Sequence, residues 1–108
     1  MSYGTFESYY LVAGAGTKDI LQGSILQPGM EIKIFGVTNN SWVAVGDTAG
    51  YTLSPLEDLN GTDSSYQVGY FIKENKELSF TYRGTPGKLL LAASSSGVDD
   101  SVISVGVL

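Results

Sequence analysis

The chain has 108 residues and a hydrophobic fraction of 43%, which fits one folded domain with a single core and excludes a disordered chain. Its net charge of −5, from 11 acidic and 6 basic residues, excludes a basic groove of the kind that tracks a nucleic-acid backbone. The absence of cysteine and histidine excludes disulfides, zinc sites built on thiolate or imidazole, and the Ser-His-Asp and Cys-His catalytic arrangements.

In chain order, Met1–Glu7 lacks a basic segment followed by an apolar one, so secretion through a signal peptide is not expected. No apolar run approaches the ~20 residues that span a bilayer. Residues 6–13 are dense in aromatic and aliphatic side chains and close on Gly14-Ala15-Gly16, a strand followed by a turn. Residues 17–21 suit a second short strand, and Gln27-Pro28-Gly29 is a turn. From Met30 to Val37, Met30, Ile32 and Ile34 alternate with Glu31 and Lys33, the period of two of a half-buried strand. Phe35 and Val37 break its polar face, which suggests that this end is covered. Asn39-Asn40 then predicts a turn, and Ser41 to Gly46 a returning strand, together a β-hairpin.

Residues 47–65 form a long loop, uncommon in so small a domain and a frequent place for function. Within it, Ser54-Pro55-Leu56-Glu57 has the order of a capped helical or 3₁₀ turn. In the second half Tyr66, Val68, Tyr70 and Ile72 alternate with Gln67, Gly69 and Phe71, and Lys73–Lys76 is a charged turn. Leu78, Phe80 and Tyr82 then alternate with polar residues. Three consecutive leucines at 89–91 predict a strand covered on both sides, and Ile103, Val105 and Val107 mark one face of a final strand. Short strands separated by turn signals, with no 3.6-residue period, predict an all-β fold. The expectation is a single β-sandwich or jelly-roll-like barrel of seven to eight strands over residues 1–108.

Candidates for chemistry are few. Asp58–Asp63 sets oxygen side chains at alternate positions, as a calcium loop does, but lacks the later bidentate Glu and the flanking helices. A solvated acidic loop accounts for it better, and Asp99-Asp100 also reads as a wet turn. Glu7 and Glu31, the only carboxylates set in apolar runs, read as wet-face strand residues. No metal, cofactor or catalytic residue is expected. The aromatic residues carry more weight: seven tyrosines, four phenylalanines and one tryptophan exceed what one small core hides. Tyr9 and Tyr10, being adjacent in a strand, point to opposite faces, and Phe71 faces away from Val68, Tyr70 and Ile72. Cover by a second sheet or by the long loop is one account of such rings; the favoured one places Tyr9, Tyr10, Trp42, Tyr51 and Phe71, or part of that set, at contacts with other subunits, with Leu53 and Leu56 as anchors of the long loop.

The second half contains Ser41-Trp42-Val43-Ala44-Val45-Gly46 after an Asn-rich turn, then Leu53-Ser54-Pro55 and Glu77–Tyr82. Gly87-Lys88-Leu89-Leu90-Leu91-Ala92-Ala93-Ser94 and the closing Val102–Val105 follow. This texture resembles the small β-sandwich accessory proteins of tailed-phage virions over roughly residues 32–107. The resemblance implies a jelly-roll-like sandwich that oligomerises, often as trimers, and binds the major capsid protein or another virion protein as a decoration or cement protein. It implies a location on the capsid surface after synthesis in the host cytoplasm. The longer acidic middle loop and the aromatic-rich first strand depart from that pattern. The competing expectation is a carbohydrate- or receptor-binding module of a phage fibre, which would use the same aromatic residues; neither reading calls for nucleic acid or a membrane.

Overall fold

Strands alone make up the regular structure of the computed structural model, which describes residues 6–22, 24–47, 56–57 and 70–108. Nine lie among these residues: β1 (Phe6–Leu11), β2 (Lys18–Asp19), β3 (Glu31–Thr38), β4 (Ser41–Gly46), β5 (Leu56–Glu57), β6 (Tyr70–Ile72), β7 (Glu77–Thr81), β8 (Leu89–Ser94) and β9 (Ser101–Val107). They form two antiparallel sheets, each four strands wide. One runs β1-β9-β3-β7. The other runs β2-β8-β4, and its fourth position is shared by β5 and β6, which pair with opposite ends of β4.

The sheets pack as a sandwich because alternate residues of the long strands are apolar. Ile32 and Ile34 of β3 and Ile103 and Val105 of β9 meet Val43 and Val45 of β4 and Leu90 of β8, all of them at most 1% exposed. Each such side chain contributes about 1.5–3 kcal/mol of hydrophobic stabilisation. Ile20, Leu21 and Leu26, between β2 and β3, and Tyr82, just beyond β7, add to the same core. Tyr82 enters it with its hydroxyl donating to the Thr85 carbonyl at 2.6 Å, which removes the cost of burying that group. The leucine run is covered on both sides as its sequence suggests. Leu90 faces the main core, while Leu91 is buried in a second small cluster with Ala44, against which Leu89 packs.

Four local expectations change. Residues 30–37 and 41–46 do not form a hairpin: β3 pairs with β7 and β9, and β4 with β8, β5 and β6, so the chain crosses between sheets at Asn39-Asn40. The two asparagines serve as tethers there. Asn39, at φ 55°, donates from its backbone to Glu74 Oε2 (2.7 Å) and from its amide to the Asp100 carbonyl (2.8 Å). The Asn40 side chain accepts from the Glu74 N–H (3.0 Å) and its carbonyl from the Ser95 N–H (3.1 Å). Beside this corner the buried hydroxyls of Ser41 and Ser101 bond to each other at 2.7 Å, joining the two sheets.

The helical turn expected from Ser54 is not formed at Leu56–Glu57, whose backbone instead pairs with Val45 and Gly46. Phe35 and Val37 are exposed, not covered. Glu7 lies on the inward side of β1 with Tyr9 and Leu11, half-buried at the strand's end, because its partner is the core residue Val105.

One glycine fixes how the β6–β7 turn lies. A Cβ on Gly36 would stand 2.3 Å from the Lys73 carbonyl oxygen, so only glycine lets the turn close over β3 through the Gly36–Lys76 and Asn75–Gly36 backbone bonds, each 2.8 Å.

Candidate functional site

A sheet with one face on the core normally turns polar side chains to water. Both outer faces of this sandwich depart from that rule, and each carries an aromatic pair.

On the four-stranded face β1-β9-β3-β7 the pair is Phe6 and Phe35, with ring centroids 5.5 Å apart and planes at 46°. Phe6 lies directly over Gly106, its partner on β9; a Cβ there would come within 2.9 Å of three ring atoms. The next row of the sheet is Ser8, Ser104 and Phe35, so small side chains keep the surface flat. Lys33 Nζ stands 5.9 Å from the Phe35 centroid and 3.8 Å from Glu77 Oε2. Val37 and Tyr10 extend the exposed apolar area toward the far end, giving four large, solvent-facing apolar side chains on one sheet.

On the other face the pair is Trp42 and Phe71, opposite each other on β4 and β6, with centroids 5.1 Å apart in an edge-to-face arrangement. Ala93 on β8 opposes Trp42 from the other side. Its small side chain leaves a groove of about 220 Å³ between Trp42, the Val12–Gly16 turn and Ser94–Gly97. Farther along this face Leu91 and Ala44 are buried, so only the Trp42 end is open.

Of the residues singled out by sequence, the structure brings together Trp42 and Phe71. Tyr9 and Tyr10 do point opposite ways, and this separates their fates: Tyr9 is 6% exposed and belongs to the core, whereas Tyr10 is 55% exposed. The Tyr9 hydroxyl is buried without a hydrogen-bond partner. Burial first, then the nearby Glu7 and Asp19 carboxylates, push its pKa up, against an opposing effect from the Gln22 side chain. Tyr51 and Leu53 lie outside the described residues; Leu56 is placed in β5 beside Gly46 by its backbone. The acidic stretch 58–63 also lies outside them. Among the described residues no group of three or more acidic side chains could hold a metal ion, and no helix is long and apolar enough to cross a membrane.

Asp100 is more than a wet turn residue. Its carboxylate accepts from the Ala13 N–H (2.8 Å) and from the Tyr10 hydroxyl, tying the end of β1 to the β8–β9 loop. The Ala13 bond, then the Tyr10 bond, hold the Asp100 carboxyl below its usual pKa. The same bond, and then the charge of Asp100, raise that of Tyr10.

Sequence reading missed Phe6 as a surface residue and Val12 as a groove wall. The signal for the first face was present, since Phe35 and Val37 interrupt the polar side of β3. Comparison with known proteins finds no matching family model, no matching curated protein and no matching solved structure.

Proposed function

We propose that this domain is a non-enzymatic structural protein of a virion, a jelly roll that self-associates and binds the outer capsid surface as a decoration or cement protein. It docks through the outer face of its four-stranded sheet. The observation that carries the docking role is the flat platform of Phe6, Tyr10, Phe35 and Val37, exposed where an antiparallel sheet should be polar. Flatness suits a protein partner: interfaces of about 800 Å² per side are built around a few aromatic anchors, and a buried ring covers roughly 150–250 Å².

The strand order supports the jelly-roll reading. Each sheet interleaves strands from the two ends of the chain, β1-β9-β3-β7 and β2-β8-β4 followed by β5 and β6, as two nested Greek keys do. The virion setting and the trimeric state are supported by the sequence resemblance. The action requires no reaction. A protein that binds only the assembled shell shifts the equilibrium toward that shell.

Size-exclusion chromatography with light scattering and co-sedimentation with capsids test the proposal. The expected result is an oligomer that sediments with particles, and a folded monomer that does not when Phe35→Asp and Val37→Asp are combined. A strictly monomeric wild-type protein without affinity for capsids would overturn it.

A further inference from the structure

The groove beside Trp42 has a chemistry unlike that of the flat face. Its walls are one indole ring, one valine, small residues and hydroxyls, and among the described residues no charged side chain lines it. Phe71 braces Trp42 from the β6 side, which leaves the indole to border the opening over Ala93. At about 220 Å³ the space is smaller than the roughly 300–1,000 Å³ of pockets for drug-sized ligands, so it accommodates a single ring.

Polar groups of the rim are available. The Ser94 hydroxyl is engaged by the Asp99 carbonyl at 2.5 Å, and Ser96 Oγ accepts from the Val98 and Asp99 N–H groups. Among the described residues the Ser95 hydroxyl has no hydrogen-bond partner and the Gly97 carbonyl accepts none; that carbonyl faces Gly14 across the groove, where a Cβ on Gly14 would lie 3.9 Å from its oxygen.

We propose that this groove binds one uncharged sugar ring, its apolar face packed on Trp42 and its hydroxyls bonded to Ser95 and the Gly97 carbonyl. A sugar presents C–H groups on one side and hydroxyls at its edge, the combination that an aromatic wall and a hydroxyl-and-carbonyl rim complement. The lack of any cation among the described lining residues and the net charge of −5 select against anionic sugars. The site lies on the opposite sheet from the docking platform and does not depend on it.

Trp42 is the chain's sole tryptophan, so its emission reports this site alone. The experiment titrates the intact protein with glucose, galactose, mannose and N-acetylglucosamine, with sialic acid and an uncharged peptide as comparison probes. The expected result is a saturable change in Trp42 emission with at least one neutral sugar and none with sialic acid or peptide. That response disappears in Ala93→Leu, which fills the groove floor, weakens in Ser95→Ala, and persists in Phe35→Asp. Should Ala93→Leu fail to fold, Gly97→Leu blocks the rim instead, at a position where a Cβ meets nothing within 4 Å. No saturable change up to ~50 mM sugar, well past the millimolar affinity that so few contacts support, would overturn the proposal. So would an equal response to sialic acid or peptide, or undiminished binding by the groove-filling variant.

Discussion

The two outer faces of the sandwich start from the same ingredient, an exposed aromatic pair, and differ in what surrounds it. Around Phe6 and Phe35 the small neighbours Gly106, Ser8 and Ser104 lie level with the sheet, with Lys33 alongside Phe35, and the result is a platform. Around Trp42 and Phe71 a turn rises on one side and Ala93 drops away below, and the result is a concavity. The rings alone do not decide between a protein partner and a small ligand; the relief beneath and beside them does. The faces differ in cover as well, since part of the second is covered, with Leu91 and Ala44 buried there, while the first exposes Phe6, Tyr10, Phe35 and Val37.

That difference in cover makes the largest prediction. Leu91→Ala, on an outer face, should cost about 2–5 kcal/mol of stability, comparable with Leu90→Ala in the main core. Phe35→Ala on the open platform should cost less than ~1 kcal/mol. Chemical denaturation of the three variants checks this, and a Leu91→Ala as mild as Phe35→Ala would mean that the two faces are equally bare. A smaller effect separates the aromatic pairs. Gly106→Ala must displace the Phe6 ring, the exposed end of a side chain that can turn aside, and should cost under ~1 kcal/mol. The cost should shrink in a Phe6→Ala background, and a double-mutant cycle with coupling near zero would contradict the ring-over-glycine contact.

The smallest effect concerns the hydrogen bond that fixes Tyr10 on the platform. The folded-state pKa of Asp100 is lowered, so its contribution is present at neutral pH and is lost as pH falls through that value. Tyr10 has a raised pKa, so its contribution is complete below the ordinary tyrosine range and is lost as pH rises through the folded value. Urea midpoints across pH should therefore fall at both extremes, and Asp100→Asn should flatten the acid limb. An acid limb unchanged in that variant would show that other carboxylates produce it.

Most of the fold was legible because it rests on a period of two: Ile32 and Ile34, Leu78 and Phe80, and Ile103, Val105 and Val107 declare their faces without tertiary information. The exchange of partners was not. Asn39-Asn40 has hairpin composition, and nothing local reveals that its side chains hold Glu74 and the β8–β9 loop, residues 34 or more positions away in sequence. Tyr9 and Tyr10 could be split between faces by parity, but which one turned inward depended on the register with β9, since Tyr9 opposes the buried Ile103. The groove was least legible. Its walls come from a turn after β1, from β4 and from the end of β8, and their approach is a property of sheet order alone.

Strand β9 sits between β1 and β3, so Phe6 pairs with Gly106 and the middle of the four-stranded sheet joins segments far apart in sequence. Until β9 docks, the β1 and β3 edges that it joins stay unpaired. Such long-range closure is slow, and the waiting chain exposes strand edges that pair readily with neighbouring chains. The rate at which this seven-residue strand docks therefore sets how long those edges stay open to wrong partners.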